Sequence, residues 1–460
     1  MSEVAKLDQR YLWHPFTQMK EWCASEPIVI VAGQGAILRD EKGNEFIDGN
    51  SSIWTNLHGH NHASLNQALQ NQLQRIAHSS FLGFTNDLAP RLGQKLVEML
   101  CPKSNHRVFF SDDGSTAMEA GLKMIVQARE QRGEKDRIGF VVLGGAYHGD
   151  TVGAMSLGKS PLFHKTYGRL MFETREVMSP ACYQCPYNKT KPQKGVEARE
   201  ARCCDWECLS QLQETLEKSK NETAAFVLEP LVQGAAGLWM HPKGYLKKAS
   251  ELCRETGVWL FLDEVLTGFG RTGAMFASNQ EQVVPDVVAL AKGLTAGYMP
   301  LAATLASQEI FEAFLGDYEE FKSFFHGHSY TGNALGCAVA LENLSIFEKE
   351  KTLQQNQKLS ENLKQLTQQF WKHPHVGDVR QEGVMIAIEL VEEFETRRGF
   401  PLEKRIGHWV CEAAKKHGLL TRPIGNVLLL MPPYCITEEE TERMVNALWR
   451  GLCDVLPLAV

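Results

Sequence analysis

Apolar and polar positions along this chain follow two periods. Short unbroken apolar runs, FVVL at 140–143, AAFVL at 224–228, VWLFL at 258–262 and VVALA at 287–291, have no polar face, as strands buried on both sides of a parallel sheet require. Between them lie segments with apolar residues three and four apart. One spans 65–100, one spans 115–129 with Met118, Leu122 and Ile125 on a face, and one spans 245–256. This alternation predicts a doubly wound α/β domain with a mostly parallel sheet. Towards the N-terminus, EPIVIVAG and AILRDEKGNEFIDG read as short strands with a hairpin turn at residues 40–43. Towards the C-terminus, a long amphipathic stretch at 345–371 precedes VRQEGVMIAIEL, IGHWVCEAAKKHG and LLTRPIGNVLLLMPP, which read as a compact α+β unit.

Polar residues with chemical potential stand where these runs end. The run at 258–262 delivers Asp263, and the run at 287–291 delivers Lys292 between Ala291 and Gly293. Ligands of open α/β sheets bind at the carboxyl edge of the strands. Residue type alone favours a solvated lysine and a turn aspartate, but both follow buried runs that should end at one edge. Pyridoxal phosphate uses such a pair, an amine that binds its aldehyde carbon and an ionised carboxylate beside its ring nitrogen. In VFFSDDGSTAMEAG, Gly114, Ser115 and Thr116 begin a helix after a strand, where free N–H groups and hydroxyls suit a phosphate or simply cap the helix. The segment fits neither GxGxxG nor GxxxxGK[ST], which argues against dinucleotides and nucleotides.

Further along, Tyr147 in GGAYHGD stands in a Gly-rich loop and can stack on a planar ring or pack against the domain. Glu229 ends another strand. Ser329 and Thr331 offer hydroxyls to an anion or a cap. Arg422 precedes a proline, a setting for capture of a carboxylate or for an ordinary surface arginine.

Length and charge narrow the picture. A chain of 460 residues suggests a large domain with a smaller one. A net charge of −7, from 48 basic and 55 acidic residues without a basic tract, argues against nucleic acid and leaves a small molecule as the expected partner. No signal-like segment or membrane-length apolar run occurs, so a cytoplasmic protein with no membrane partner is expected, and most of the 12 cysteines should be reduced. His58, His60 and His62 alternate without a cysteine or acid at ligand spacing, which favours a polar loop over a metal site. The segment 182–208 differs. Cys182 and Cys185 form CxxC, and Cys204 and Cys208 form CxxxC, so it reads either as a structural zinc or iron–sulfur site or as an insertion with free thiols.

In that order along the chain, SDDGSTAMEA, GGAYHGD, EPLVQGAAG, LFLDEVLTGFGRTG, LAKGL, HGHSYTGN and LLTRP resemble the class III aminotransferases of pyridoxal-phosphate fold type I. The resemblance implies a large domain at 63–335, with the cysteine insertion, and a smaller α+β domain built from both termini, 1–62 and 336–460. It implies that Lys292 binds the cofactor and shuttles protons, that Asp263 partners the ring nitrogen, and that Tyr147 stacks on the ring. Gly114 and Ser115 would bind the phosphate, joined by Ser329 from the second subunit of a homodimer. Trp54, Asp150, Arg271 and Gly327 would line the substrate pocket, and Arg422 would hold a substrate carboxylate. Phe16 stands in WHPF where the best-known members carry tyrosine, so the amino donor implied is adenosylmethionine or lysine. Two other readings compete: another class III activity on ω-amino acids or 4-aminobutyrate, and a non-catalytic metal-binding protein on the same scaffold.

Overall fold

The computed structural model describes residues 1–458, so the last two residues of the segment expected at 336–460 lie outside the described residues. A seven-stranded sheet carries the site. In chain order its strands are β1 (Arg107–Ser111), β2 (Gly139–Leu143), β3 (Arg175–Val177), β4 (Thr223–Leu228), β5 (Trp259–Asp263), β6 (Val287–Leu290) and β7 (Ala302–Ala306), and in space they run β1-β7-β6-β5-β4-β2-β3. Every residue of β4, β5 and β6 is buried, the reason these runs show no alternation. The pairings β3 to β2, β2 to β4, β4 to β5 and β5 to β6 are parallel.

Strand β7 is antiparallel to both β6 and β1. Its AATLA sequence is small and uniformly buried, and no apolar pattern announces its direction. The connection 291–301 holds only a single helical turn, Lys292–Thr295. Without a full crossover, successive neighbouring strands must run in opposite directions.

Helix α1 (Gly114–Gln131) lies against β6 and β7 and starts at a reciprocal cap, in which Asp113 accepts from the Thr116 amide and the Thr116 hydroxyl accepts from the Asp113 amide. Helix α2 (Tyr245–Thr256) ends, as its sequence requires, at Gly257 with φ +66°. The expected helical stretch at 65–100 is two helices, Ala63–Leu73 and Ala89–Leu100. Between them SSFLGFTND supplies Gly83 at φ +80° and Asn86, whose side chain accepts from the Leu88 and Ala89 amides and starts the second helix.

Both chain ends contribute to one smaller sheet. Ile30–Gln34, Ile37–Asp40 and Glu45–Asp48 form a meander, and Leu419–Leu420 adds parallel to Glu45–Asp48. The turn expected at 40–43 is present, with the Asp40 carboxylate accepting from the Lys42 and Asn44 amides. A second sheet joins Val376–Glu382, Met385–Glu393, Arg398–Gly399 and Val427–Leu430. The boundary placed at 335/336 falls inside α3 (Ala334–Lys349), where buried Asn343 ties three segments: its amide donates to the Gly293 and Leu294 carbonyls and its oxygen pairs with His58.

Candidate active site

The strand pairing brings the two expected groups together. Asp263 is the last residue of β5 and lies opposite Ala289 on β6, and Lys292 follows β6 after one residue. Both side chains therefore leave at one sheet edge. There they line a cavity of about 490 Å³ together with Trp54, Gly114, Ser115 and Tyr147.

Lys292 has φ +43°, a sparsely populated conformation for a residue with a Cβ. Burial pushes its amine below the usual lysine value, the Arg271 guanidinium adds to this, and the Asp263 and Glu229 carboxyls act in the opposite sense. An amine shifted this way is more readily an uncharged nucleophile. Its Nζ lies 5.1 Å from the centroid of the Trp54 ring. Trp54 reaches that position through four successive left-handed residues, Ser51 to Trp54, with φ between 42° and 71°. The buried Asp48 carboxylate holds the turn by accepting from the Ser52 amide and hydroxyl and pairing with His60 at 2.9 Å. Such strain persists only where surrounding bonds over-determine it.

Asp263 is aligned from two sides. Its Oδ1 accepts from the Val265 amide at 3.0 Å and its Oδ2 lies 2.8 Å from His148 Nδ1. His148 is buried, and its Nε2 has no protein partner. Glu229 lies beside them, accepting from the amides of Tyr147 at 3.2 Å and Gly234 at 2.7 Å. Burial raises its carboxyl to about 7. The Tyr147 hydroxyl donates to Asp150 at 2.8 Å, and burial together with that bond raises the phenol.

At the start of α1, Asp113 and Thr116 are occupied by the cap, so the Gly114 and Ser115 amides present the free N–H groups, while the Ser115 hydroxyl oxygen accepts from the Asp150 amide at 3.3 Å. The approach is close. A Cβ at Gly114 would stand 2.8 Å from Val265 Cγ1, and one at Gly149, where φ is +121°, would stand 2.0 Å from Ser115 Oγ. These residues fit pyridoxal phosphate: an amine for its aldehyde, a carboxylate aligned by two partners for its ring nitrogen, and a helix N-terminus for its phosphate.

The remaining expected residues are placed differently. Arg271 does not line the cavity. It is buried, with Nη1 donating to the Pro432 carbonyl at 3.0 Å and Nη2 to the Asn56 carbonyl at 3.3 Å. Phe16 and Arg422 are exposed and joined, Arg422 Nη2 donating to the Phe16 carbonyl at 3.2 Å. Gly327 and Ser329 lie on an exposed loop outside the cavity of a single chain, and the Ser329 carbonyl pairs with His78. Among the described residues no group of three or more His, Cys, Asp or Glu side chains is arranged to hold a metal ion. The expectation of zinc or an iron–sulfur cluster on Cys182, Cys185, Cys204 and Cys208 is thus corrected. Cys182 and Cys208 are buried, and burial pushes their thiols up to about 12 and about 11. His148 escaped the sequence reading of the site because its partner Asp263 lies 115 positions away. Only its place beside Tyr147 in a Gly-flanked loop pointed to it.

Residues 19–452 match the family model "Aminotransferase class-III". The chain belongs to this family of aminotransferases. Among its relatives is the adenosylmethionine-8-amino-7-oxononanoate aminotransferase of Geobacter sulfurreducens, 46% identical over 448 residues and covering 97% of each chain. The crystal structure of the enzyme of that name from Methanocaldococcus jannaschii is similar with a TM-score of 0.91, at 39% identity over 98% of each chain. An omega transaminase from Pseudomonas jessenii, solved in complex with PMP, also has a TM-score of 0.91, at 28% identity over 99% of this chain and 98% of its own.

Proposed function

We propose that this aminotransferase uses pyridoxal phosphate to move an amino group from adenosylmethionine or lysine to 8-amino-7-oxononanoate, forming 7,8-diaminononanoate for biotin synthesis. The observation that carries this reading is the 46% identity over 97% of both chains with an enzyme of that name. When bound, the cofactor supplies an aldehyde carbon that takes up amines and a protonated ring that spreads negative charge. The chain's own residues do the rest. Lys292 Nζ would hold that carbon in the resting enzyme and, as a free amine, would serve as the base and acid that moves the substrate proton. Asp263, oriented by His148 and the Val265 amide, keeps the proton on the ring nitrogen. Gly114 and Ser115 bind the phosphate, Tyr147 covers the ring, and Trp54, Asp150 and Phe16 shape the substrate pocket. Arg422 takes the substrate carboxylate by a charge-assisted bond.

We assign a cytoplasmic homodimer as the working form. Leu82, Phe84, Phe325 and Tyr330 are large exposed apolar side chains, and their loops are tied together by Asn86 donating to the Gly332 carbonyl and by the His78 bond to Ser329. A patch of this kind beside Gly327 and Ser329 suits a second copy that brings Ser329 to its partner's phosphate site. No helix among the described residues is long and apolar enough to cross a membrane.

The test is a half-reaction titration of the pyridoxal form with adenosylmethionine and with lysine, followed by turnover with 8-amino-7-oxononanoate. Conversion to the pyridoxamine form by one of these donors, and its reversal by this acceptor, supports the assignment. Conversion only by 4-aminobutyrate or another ω-amino acid overturns it in favour of the other class III activity.

A further inference from the structure

Behind Tyr147 lies a continuous series of aromatic rings. The imidazole of His164 stacks on the phenol at 5.7 Å between centroids and 18° between planes. Phe163 meets the same phenol edge to face at 5.9 Å, and meets Phe16 edge to face at 5.5 Å. His164 is buried and does not line the cavity, whereas Tyr147 does, so the imidazole packs behind the ring that faces the cofactor site. Neither nitrogen has a side-chain partner, and its one polar backbone neighbour is Gly158. A buried polar ring so sparsely partnered costs stability and calls for a reason in the site it serves. The backbone also makes room for it: a Cβ on Gly158 would stand 2.6 Å from His164 Cε1. Burial lowers the imidazole below its ordinary value and His148 adds to this, while Asp150 opposes it. Burial thus favours the uncharged ring, which offers Tyr147 a flat surface.

We propose that Phe163 and His164 are positioning residues forming an aromatic bracket, in which His164 fixes the plane of Tyr147 against the cofactor and Phe163 couples that plane to Phe16 at the substrate mouth. The proposal rests on the assignment of Tyr147 as the ring platform. Docking of an aliphatic-chain substrate against Phe16 then tightens the seat of the ring. An offset-stacked or edge-to-face pair contributes on the order of 0.5–1.5 kcal/mol, which is about 2- to 12-fold in an equilibrium constant.

The experiment measures the dissociation constant of pyridoxal phosphate by absorbance and the kinetics of the loaded enzyme. His164→Ala should weaken cofactor binding by about 2- to 12-fold, and His164→Phe, which keeps a flat ring, should restore it. In a double-mutant cycle, Phe16→Ala and Phe163→Leu should be non-additive by about 2- to 12-fold in kcat/KM for the acceptor. Unchanged cofactor affinity in His164→Ala, an equal defect in His164→Phe, or additive Phe16 and Phe163 effects overturn the bracket. Tyr147→Ala separates the two readings. If it leaves cofactor affinity unchanged the platform assignment falls and the bracket with it, whereas if it weakens binding while His164→Ala does not, only the bracket falls.

Discussion

The floor and the mouth of the site are built on opposite plans. The floor, Asp263, Lys292, Glu229 and the start of α1, stands on strand ends and a helix N-terminus within one chain. Its partners are named and close: Val265 and His148 on Asp263, Tyr147 and Gly234 on Glu229, and Asp113 with Thr116 at the cap. The proposed mouth, Phe16, Arg422 and Gly327, stands on exposed segments, where Arg422 donates to the Phe16 carbonyl. Chemistry that moves a proton between fixed atoms needs groups held by a buried sheet, whereas recognition of substrates differing in length and charge can be left to loops.

The sharpest way to break this contrast is at Lys292. Lys292→Ala should lower single-turnover amino transfer by about 10²–10⁴-fold or more, while a calorimetric melt stays close to that of the parent. Asp263→Asn follows, with kcat reduced on the order of 10²–10³-fold because the charge that meets the ring nitrogen is lost from a buried, preorganised position. At the mouth the effect should be smaller and fall on binding. Arg422→Ala removes a charge-assisted bond of about 1.5–3 kcal/mol, so KM for the acceptor rises about 10- to 150-fold with a lesser change in kcat, read from steady-state kinetics. A floor-like loss of kcat in Arg422→Ala would remove the distinction.

The mildest test uses pH. Burial raises the Glu229 carboxyl from 4.5 to about 7. The unfolded chain loses this proton near 4.5 while the folded protein keeps it, so the contribution is fully present below 4.5 and is lost as pH rises through about 7. The stability gap between wild type and Glu229→Gln should therefore shift in favour of the variant between pH 5 and pH 8, by on the order of 2 kcal/mol, in denaturant titrations at the two pH values.

Periodicity alone revealed β4, β5 and β6 and the helix at Tyr245–Thr256, because buried strands and amphipathic helices impose local patterns that a linear reading detects, and turn residues between two strand runs revealed the turn at 40–43. Asp263 and Lys292 were legible for the same reason: each follows a strand run, and parallel pairing sends strand ends to one edge. The break at 74–88 and the antiparallel β7 were not, since a loop formed by a single asparagine cap and a strand of small residues leave weak local signatures.

What only the tertiary structure decided is long-range. The bond between His148 and Asp263 and the burial of Arg271 against the Pro432 and Asn56 carbonyls each depend on segments far apart in the chain. Side-chain type and local spacing determine which groups reach the sheet edge. Their partners, and so their orientation and ionisation, are set by packing that brings distant residues into contact.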